Sequence, residues 1–271
     1  MPDRDLMLPG SYDYGFVTLS VVIAIVASYA ALELTGGVTA ARGAVRWLWL
    51  VGGSLGMGMG IGIWSMHYVG MLAFRLLVPV EYNWPTVLLS LLAGVLSSAL
   101  ALFIASRRSM GSVRLWAGSI FMGGGIAILH YVAMGAMRLQ ASCDYSPLTV
   151  ASSVILAIVF SLIALRLTFA FRGDPAAWRW RKAAAALLMG AAISGMHYTG
   201  MAAATFTPST VPPDLSRAVS ISYLGTVGIA TVALMIVTVA LVTCQADRFR
   251  GNARFLMSYS NRRPKRSRCS M

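Results

Sequence analysis

Met66-His67-Tyr68-Val69-Gly70-Met71 lies inside a long apolar run. It recurs as Leu129-His130-Tyr131-Val132-Ala133-Met134 and again as Met196-His197-Tyr198-Thr199-Gly200-Met201. The chain has 3 histidines, and each occupies the second position of one copy. They are separated by 63 and then 67 residues. Each interval holds one apolar segment with the motif and one without. The repeating unit is therefore a helical hairpin used three times.

The likeness extends outward from the motif. Eight residues before each histidine stands a methionine (Met59, Met122, Met189), and seven before stands a glycine (Gly60, Gly123, Gly190). Four before stands an isoleucine (Ile63, Ile126, Ile193). Arg75 and Arg138 follow the first two histidines by eight residues, where the third copy has Thr205. At about 100° per residue, the methionine, glycine and isoleucine before each histidine, the histidine itself and the methionine four residues after it share an arc of roughly 120°. The spacing predicts a stripe on each motif helix that faces the bundle axis, because histidine facing lipid is costly. Its glycines are expected to let helix backbones approach closely.

The composition sets the solvent. The chain is 58% hydrophobic and 11% charged, where a soluble domain carries about 25% charged residues. Seven apolar segments are long enough to span a bilayer, near 14–34, 47–77, 86–106, 115–137, 149–171, 183–206 and 220–244. The fold class predicted is all-α, a polytopic membrane protein of seven transmembrane helices. Residues 1–13 form a short N-terminal segment, 14–245 the membrane domain and 246–271 a basic tail. Asp3, Arg4, Asp5 and Asp13 precede the first apolar run, where a signal peptide would begin with a positive segment and a shorter apolar core, so the run is expected to be a retained helix.

Arginine and lysine orient the helices. Arg42 and Arg46, then Arg107, Arg108 and Arg114, then Arg172, Arg179, Arg181 and Lys182, fall in alternate connections, and the tail is strongly basic. The positive-inside rule places these in the cytoplasm and the N-terminus outside. This explains the net charge of +13 without nucleic acid. The tail is read as a lipid-attracted segment or a docking segment for a partner. All three motif helices then run outward. From Arg114 to His130 is roughly 24 Å of helix and from Lys182 to His197 roughly 22 Å, so the histidines share one depth in the outer half.

Imidazole with thioether is a soft, neutral donor set that suits copper, above all Cu(I), and suits magnesium or calcium poorly. The candidate ligands are His67 with Met71, His130 with Met134, and His197 with Met201. Met59, Met122 and Met189 are candidates for a second site or an entry path. Tyr68, Tyr131 and Tyr198 point about 100° away from the histidines and are read as hydrogen-bonding supports rather than ligands. Haem is the competing cofactor, with a glycine-lined slot at Gly52, Gly53, Gly56, Gly58, Gly60, Gly62 and Gly123 to Gly125. The scattered Cys143, Cys244 and Cys269 form no metal or haem-attachment motif. Lys182 and Lys265 are placed wrongly for a retinal Schiff base, and the spans hold almost no carboxylate for ion-coupled transport. A copper carrier and a membrane redox protein remain open alternatives to a sensor at this point.

The motifs resemble those of the MHYT domain, a bacterial integral-membrane sensory module, with the best match at Met196-His197-Tyr198-Thr199. The resemblance covers roughly 14–245 and departs at Leu129, at Ala133 and at the valines Val69 and Val132. It implies no enzyme activity in the chain itself. It implies sensing of oxygen, carbon monoxide or nitric oxide through copper held by the motif methionines and histidines, in the bacterial inner membrane. It also implies a link to output domains, such as those that make or degrade cyclic di-GMP. A tail of about 25 residues is too short to fold as such a domain, so the expectation is a tail that contacts a separate output protein, a stand-alone copper-binding membrane protein, or a truncated chain.

Overall fold

A computed structural model describes residues 7–40, 59–105, 111–170 and 175–237. The basic connections at 41–58, 106–110 and 171–174, the tail, Cys244, Cys269 and the glycines at 52–58 lie outside the described residues.

Seven helices are seen among the described residues. They are α1 (Tyr14–Ala40), α2 (Met59–Ala73), α3 (Trp84–Ala105), α4 (Ser112–Met134), α5 (Pro147–Ala170), α6 (Pro175–Ala203) and α7 (Ile221–Val237). The stretches Tyr14–Leu32, Trp84–Ala101, Ser112–Met134 and Pro147–Leu167 are long and apolar enough to cross a membrane, and Ile221–Val237 is a shorter apolar helix. Large apolar side chains stay exposed on the outer faces, as Leu89, Leu92 and Leu96 on α3 and Ile155, Val159 and Ile163 on α5. Their spacing of three or four residues marks one helical face. An unbroken apolar face of this kind is what a lipid-facing helix shows. This is a multi-pass membrane protein.

Six helices close into a ring. α1 packs between α6 and α2, α3 between α2 and α4, and α5 between α4 and α6, while α2, α4 and α6 also touch one another at the centre. α7 lies outside, where Gly225 and Gly228 meet Leu72 and Ser65 of α2.

One end of the bundle carries short strands, a departure from an all-helical reading. β1 (Ser11–Tyr12) precedes α1 and β2 (Phe74–Arg75) follows α2, and the two pair antiparallel. β3 (Glu81–Asn83) and β4 (Met137–Arg138) bracket α3 and α4 in the same way. β5 (Ala141–Tyr145) and β6 (Ala204–Pro208) bracket α5 and α6. β7 (Ala218–Ser220) leads into α7 and pairs with β3. The apolar runs predicted at 115–137 and 183–206 thus end in strands β4 and β6. Apolar residues serve a buried strand as well as a helix, so composition alone misplaces the boundary.

The helices that leave the strand end begin on polar residues. Asn83 Oδ1 accepts from the backbone N–H of Thr86 at 3.3 Å, and Ser220 Oγ accepts from that of Tyr223 at 3.3 Å. Asp13 Oδ1 likewise accepts from Gly15 N–H at 3.0 Å. These side chains satisfy amide groups that a helix start leaves unpaired. Pro147 opens α5, where its missing N–H is no loss.

Candidate metal centre

The three histidines meet at the centre of the ring, His67 from α2, His130 from α4 and His197 from α6. Their side chains are 1%, 2% and 1% exposed. Each Nδ1 lies 3.2 Å from each of the other two. The rings stand nearly perpendicular in pairs, at 79°, 89° and 89°.

Hydrogen bonding cannot satisfy this triangle. A neutral imidazole carries one N–H. However the protons are placed on three mutually facing nitrogens, at most two of the contacts pair a donor with an acceptor. The third sets lone pair against lone pair or proton against proton. A cation at the centre removes the conflict, since all three lone pairs then point at it. The size also fits. Three points 3.2 Å apart lie about 1.8 Å from their common centre (3.2/√3), just under a metal–imidazole bond of about 2.0 Å. Among the described residues no cysteine or carboxylate joins the cluster. The donor set is neutral nitrogen, which suits copper or zinc and not a hard cation.

With all three Nδ1 lone pairs directed at a cation, each ring proton would sit on Nε2. None of the three Nε2 atoms has a hydrogen-bond partner. Glycine holds the space beside two of them. A Cβ at Gly70 of α2 would sit 2.5 Å from His197 Nε2, and one at Gly200 of α6 would sit 2.6 Å from His130 Nε2. The motif glycine of one helix thus makes room for the imidazole of another. The corresponding position on α4 is Ala133, which is fully buried.

The other predicted residues divide. Met71, Met134 and Met201 are each 3% exposed. Met71 also lines a cleft of about 350 Å³ at the strand end with Phe74, Arg75 and Tyr82, and Met134 lines one of about 470 Å³ with Met137, Cys143 and Tyr145. Met59, Met122 and Met189 are buried, and Ser161 of α5 donates to Met189 Sδ at 3.8 Å. Met189 therefore faces the flanking helix. The glycines one residue later do the same. Added Cβ atoms at Gly60, Gly123 and Gly190 would meet α3 at Gly94, α5 at Ile158 and α1 at Ile25. The predicted close approach is present, but to the flanking helices and not at the axis. Gly123 and Gly125 are filled by neighbouring helices, leaving no open slot there.

The tyrosines stand edge-on to the histidines before them, with ring centroids 4.9, 4.8 and 4.8 Å apart for Tyr68, Tyr131 and Tyr198. Their hydroxyls turn away, towards serines that the motif search overlooked. Tyr198 Oη lies 2.7 Å from Ser20 Oγ, and Tyr131 Oη 2.8 Å from Ser153 Oγ. Ser90 interacts with Tyr68, although no bond of standard geometry forms and the Tyr68 hydroxyl is left without one.

The chain matches the sequence profile described as MHYT, bacterial signalling protein N terminal repeat, over residues 5–53, 60–118, 123–180 and 190–254. It belongs to the MHYT family. Among curated MHYT-containing relatives, the chain is 40% identical over 241 residues to the bifunctional diguanylate cyclase/cyclic di-GMP phosphodiesterase MucR of Pseudomonas aeruginosa, covering 89% of this chain and 35% of that protein. It is 36% identical over 240 residues to the signaling protein YkoW of Bacillus subtilis, covering 88% and 30%. It is 35% identical over 218 residues to the cyclic di-GMP phosphodiesterase NbdA of Pseudomonas aeruginosa, covering 79% and 27%. The chain spans about a third of the length of these relatives. Their named enzyme activities belong to parts beyond the shared region. No solved structure matches the chain.

Proposed function

We propose that this MHYT chain is a membrane sensor module that holds copper at His67, His130 and His197. In this reading it responds to oxygen, carbon monoxide, nitric oxide or redox state and passes that signal to a cytoplasmic output. The observation that carries it is the buried triangle of three Nδ1 atoms 3.2 Å apart, whose three lone pairs a central cation would engage at once. Met71, Met134 and Met201, one turn further along each motif helix, would supply the thioethers of a soft donor set. Met59, Met122 and Met189 are too far along the helices to join it, about 12 Å by helix rise.

Seven spans with residues 1–13 outside put the triad near the outer face of the bacterial inner membrane, and the basic tail from 246 inside. The relatives' printed activities make cyclic di-GMP turnover the favoured output. Haem is disfavoured, because a macrocycle must pass between its axial ligands and the nitrogens leave no gap for it. A copper carrier is disfavoured too, because between the two methionine layers the donors are confined to one level.

The test is the copper, zinc and iron content and the absorption spectrum of the full chain in mild detergent, beside the triple variant H67A/H130A/H197A. Copper near one per chain that disappears in the variant supports the reading. A Soret band, or copper undiminished in the variant, overturns it.

A further inference from the structure

Each motif tyrosine answers to a serine on the intervening helix. Ser20 of α1, Ser90 of α3 and Ser153 of α5 are all 0% exposed. Each serine Oγ donates at 2.7 Å to the carbonyl three residues before it, and in every case that residue is valine: Val17, Val87 and Val150. A hydroxyl has one proton. With that proton committed to the valine, the serine oxygen can only accept from tyrosine. The polarity of the contact is therefore fixed: Tyr198 Oη donates to Ser20 and Tyr131 Oη donates to Ser153. The tyrosine ring so held lies against the face or edge of its histidine. A chain of contacts runs from valine carbonyl through serine and tyrosine to the imidazole, and it is built twice with standard geometry and once, at Tyr68, without it.

We infer that Ser20 and Ser153 are positioning residues, which set the rotation of the His197 and His130 imidazoles by locking Tyr198 and Tyr131 against them. The inference rests on the reading of the triad as a metal centre, because imidazole orientation decides where the Nδ1 lone pairs converge. It also fixes which helix reports on which ligand: α1 on His197 and α5 on His130.

The experiment uses the full chain in lipid nanodiscs with ¹⁵N-labelled histidine. The ring-nitrogen spectra are recorded without metal, and copper affinity is measured on the same samples. S153A and Y131F each displace the His130 resonances and leave those of His67 and His197 in place. S153T, which keeps the hydroxyl, restores them. The double variant S153A/Y131F shifts no further than either alone, since both remove one contact. Copper affinity falls about tenfold in S153A, as for other groups that orient a ligand. Should S153A fail to insert, S20A carries the same test at His197. Unchanged histidine spectra in both serine variants, or equal displacement of all three histidines, overturn the inference. Absence of copper binding by the parent chain would overturn the metal reading, while the metal-free spectra still decide the role of the serines.

Discussion

At the residue scale, glycine at the fifth motif position is a steric requirement. His197 and His130 reach the centre because Gly70 and Gly200 carry no side chain. Gly70→Ala and Gly200→Ala are each expected to destabilise the chain by about 1–3 kcal/mol, the range for overpacking a filled core. Copper binding should weaken with them. Gly124→Ala is the control, because nothing lies within 4 Å of its added Cβ. It should be neutral or stabilising by up to about 1 kcal/mol through helix propensity. Thermal unfolding of the three variants in detergent checks this. Equal losses at all three positions would show that glycine matters only for backbone packing.

The same scale shows what a sequence hides. The histidine spacing was readable because there are 3 histidines in 271 residues. The serines were not, because serine is common and these precede or follow the motif by a whole helix. A signal was present nonetheless: Val17-Thr18-Leu19-Ser20, Val87-Leu88-Leu89-Ser90 and Val150-Ala151-Ser152-Ser153 share one pattern on the helices without histidine. The tyrosine direction follows from helix phase, but its partner depends on how two helices pack.

At the scale of elements, the strands hold one end of the bundle. Arg75 of β2 and Asp13, between β1 and α1, form an exposed ion pair, Nη2 to Oδ2 at 2.7 Å. Beneath the ladders, Phe206 of β6 is 4% exposed and packs on Phe74 of β2, ring centroids 5.8 Å apart. Arg75→Ala is expected to lose at most about 1 kcal/mol, and Phe206→Ala about 3–5 kcal/mol. Denaturant titration in detergent separates the two. A larger loss at Arg75 would mean that charge and not apolar burial secures this end. Burial also pushes the Tyr12 hydroxyl of β1 up to about 12. A raised folded-state value means the folded chain keeps a proton that the unfolded chain has lost. Stability should therefore fall as pH rises from about 10 to 12, and Tyr12→Phe should remove that part of the fall. Met137 lies in a pairing of two residues, and Ala204 opens a five-residue strand that follows directly on an apolar helix, which is why hydropathy extended both helices too far.

At the scale of the molecule, six helices alternate around the ring, with the histidine-bearing ones innermost. This much follows from the repeat, because lipid-facing histidine is excluded and three equivalent hairpins can bury three equivalent stripes together. The stripe was too broadly drawn: the histidines reach the axis, whereas Gly60, Gly123 and Gly190 serve the contacts with α3, α5 and α1. A prediction of an arc of about 120° cannot say which part of it meets the axis and which meets the neighbour. Orientation in the membrane is tested by labelling. In a cysteine-free background, Leu215→Cys, at an exposed position beyond the strand end, should react with an impermeant maleimide in intact cells. Trp180→Cys, at the exposed start of α6, should react only after permeabilisation. The reverse pattern would invert the topology and place the triad nearer the cytoplasm.

Three imidazoles from three helices converge at the bundle axis, and the proposed copper would sit between them. X-ray absorption at the copper edge of the copper-loaded full chain in nanodiscs tests this. Three imidazole nitrogens are expected at about 2.0 Å, with the outer ring atoms visible as multiple scattering, and a thioether sulfur near 2.3 Å as the remaining donor. A shell of sulfur or oxygen without ordered imidazole would contradict it.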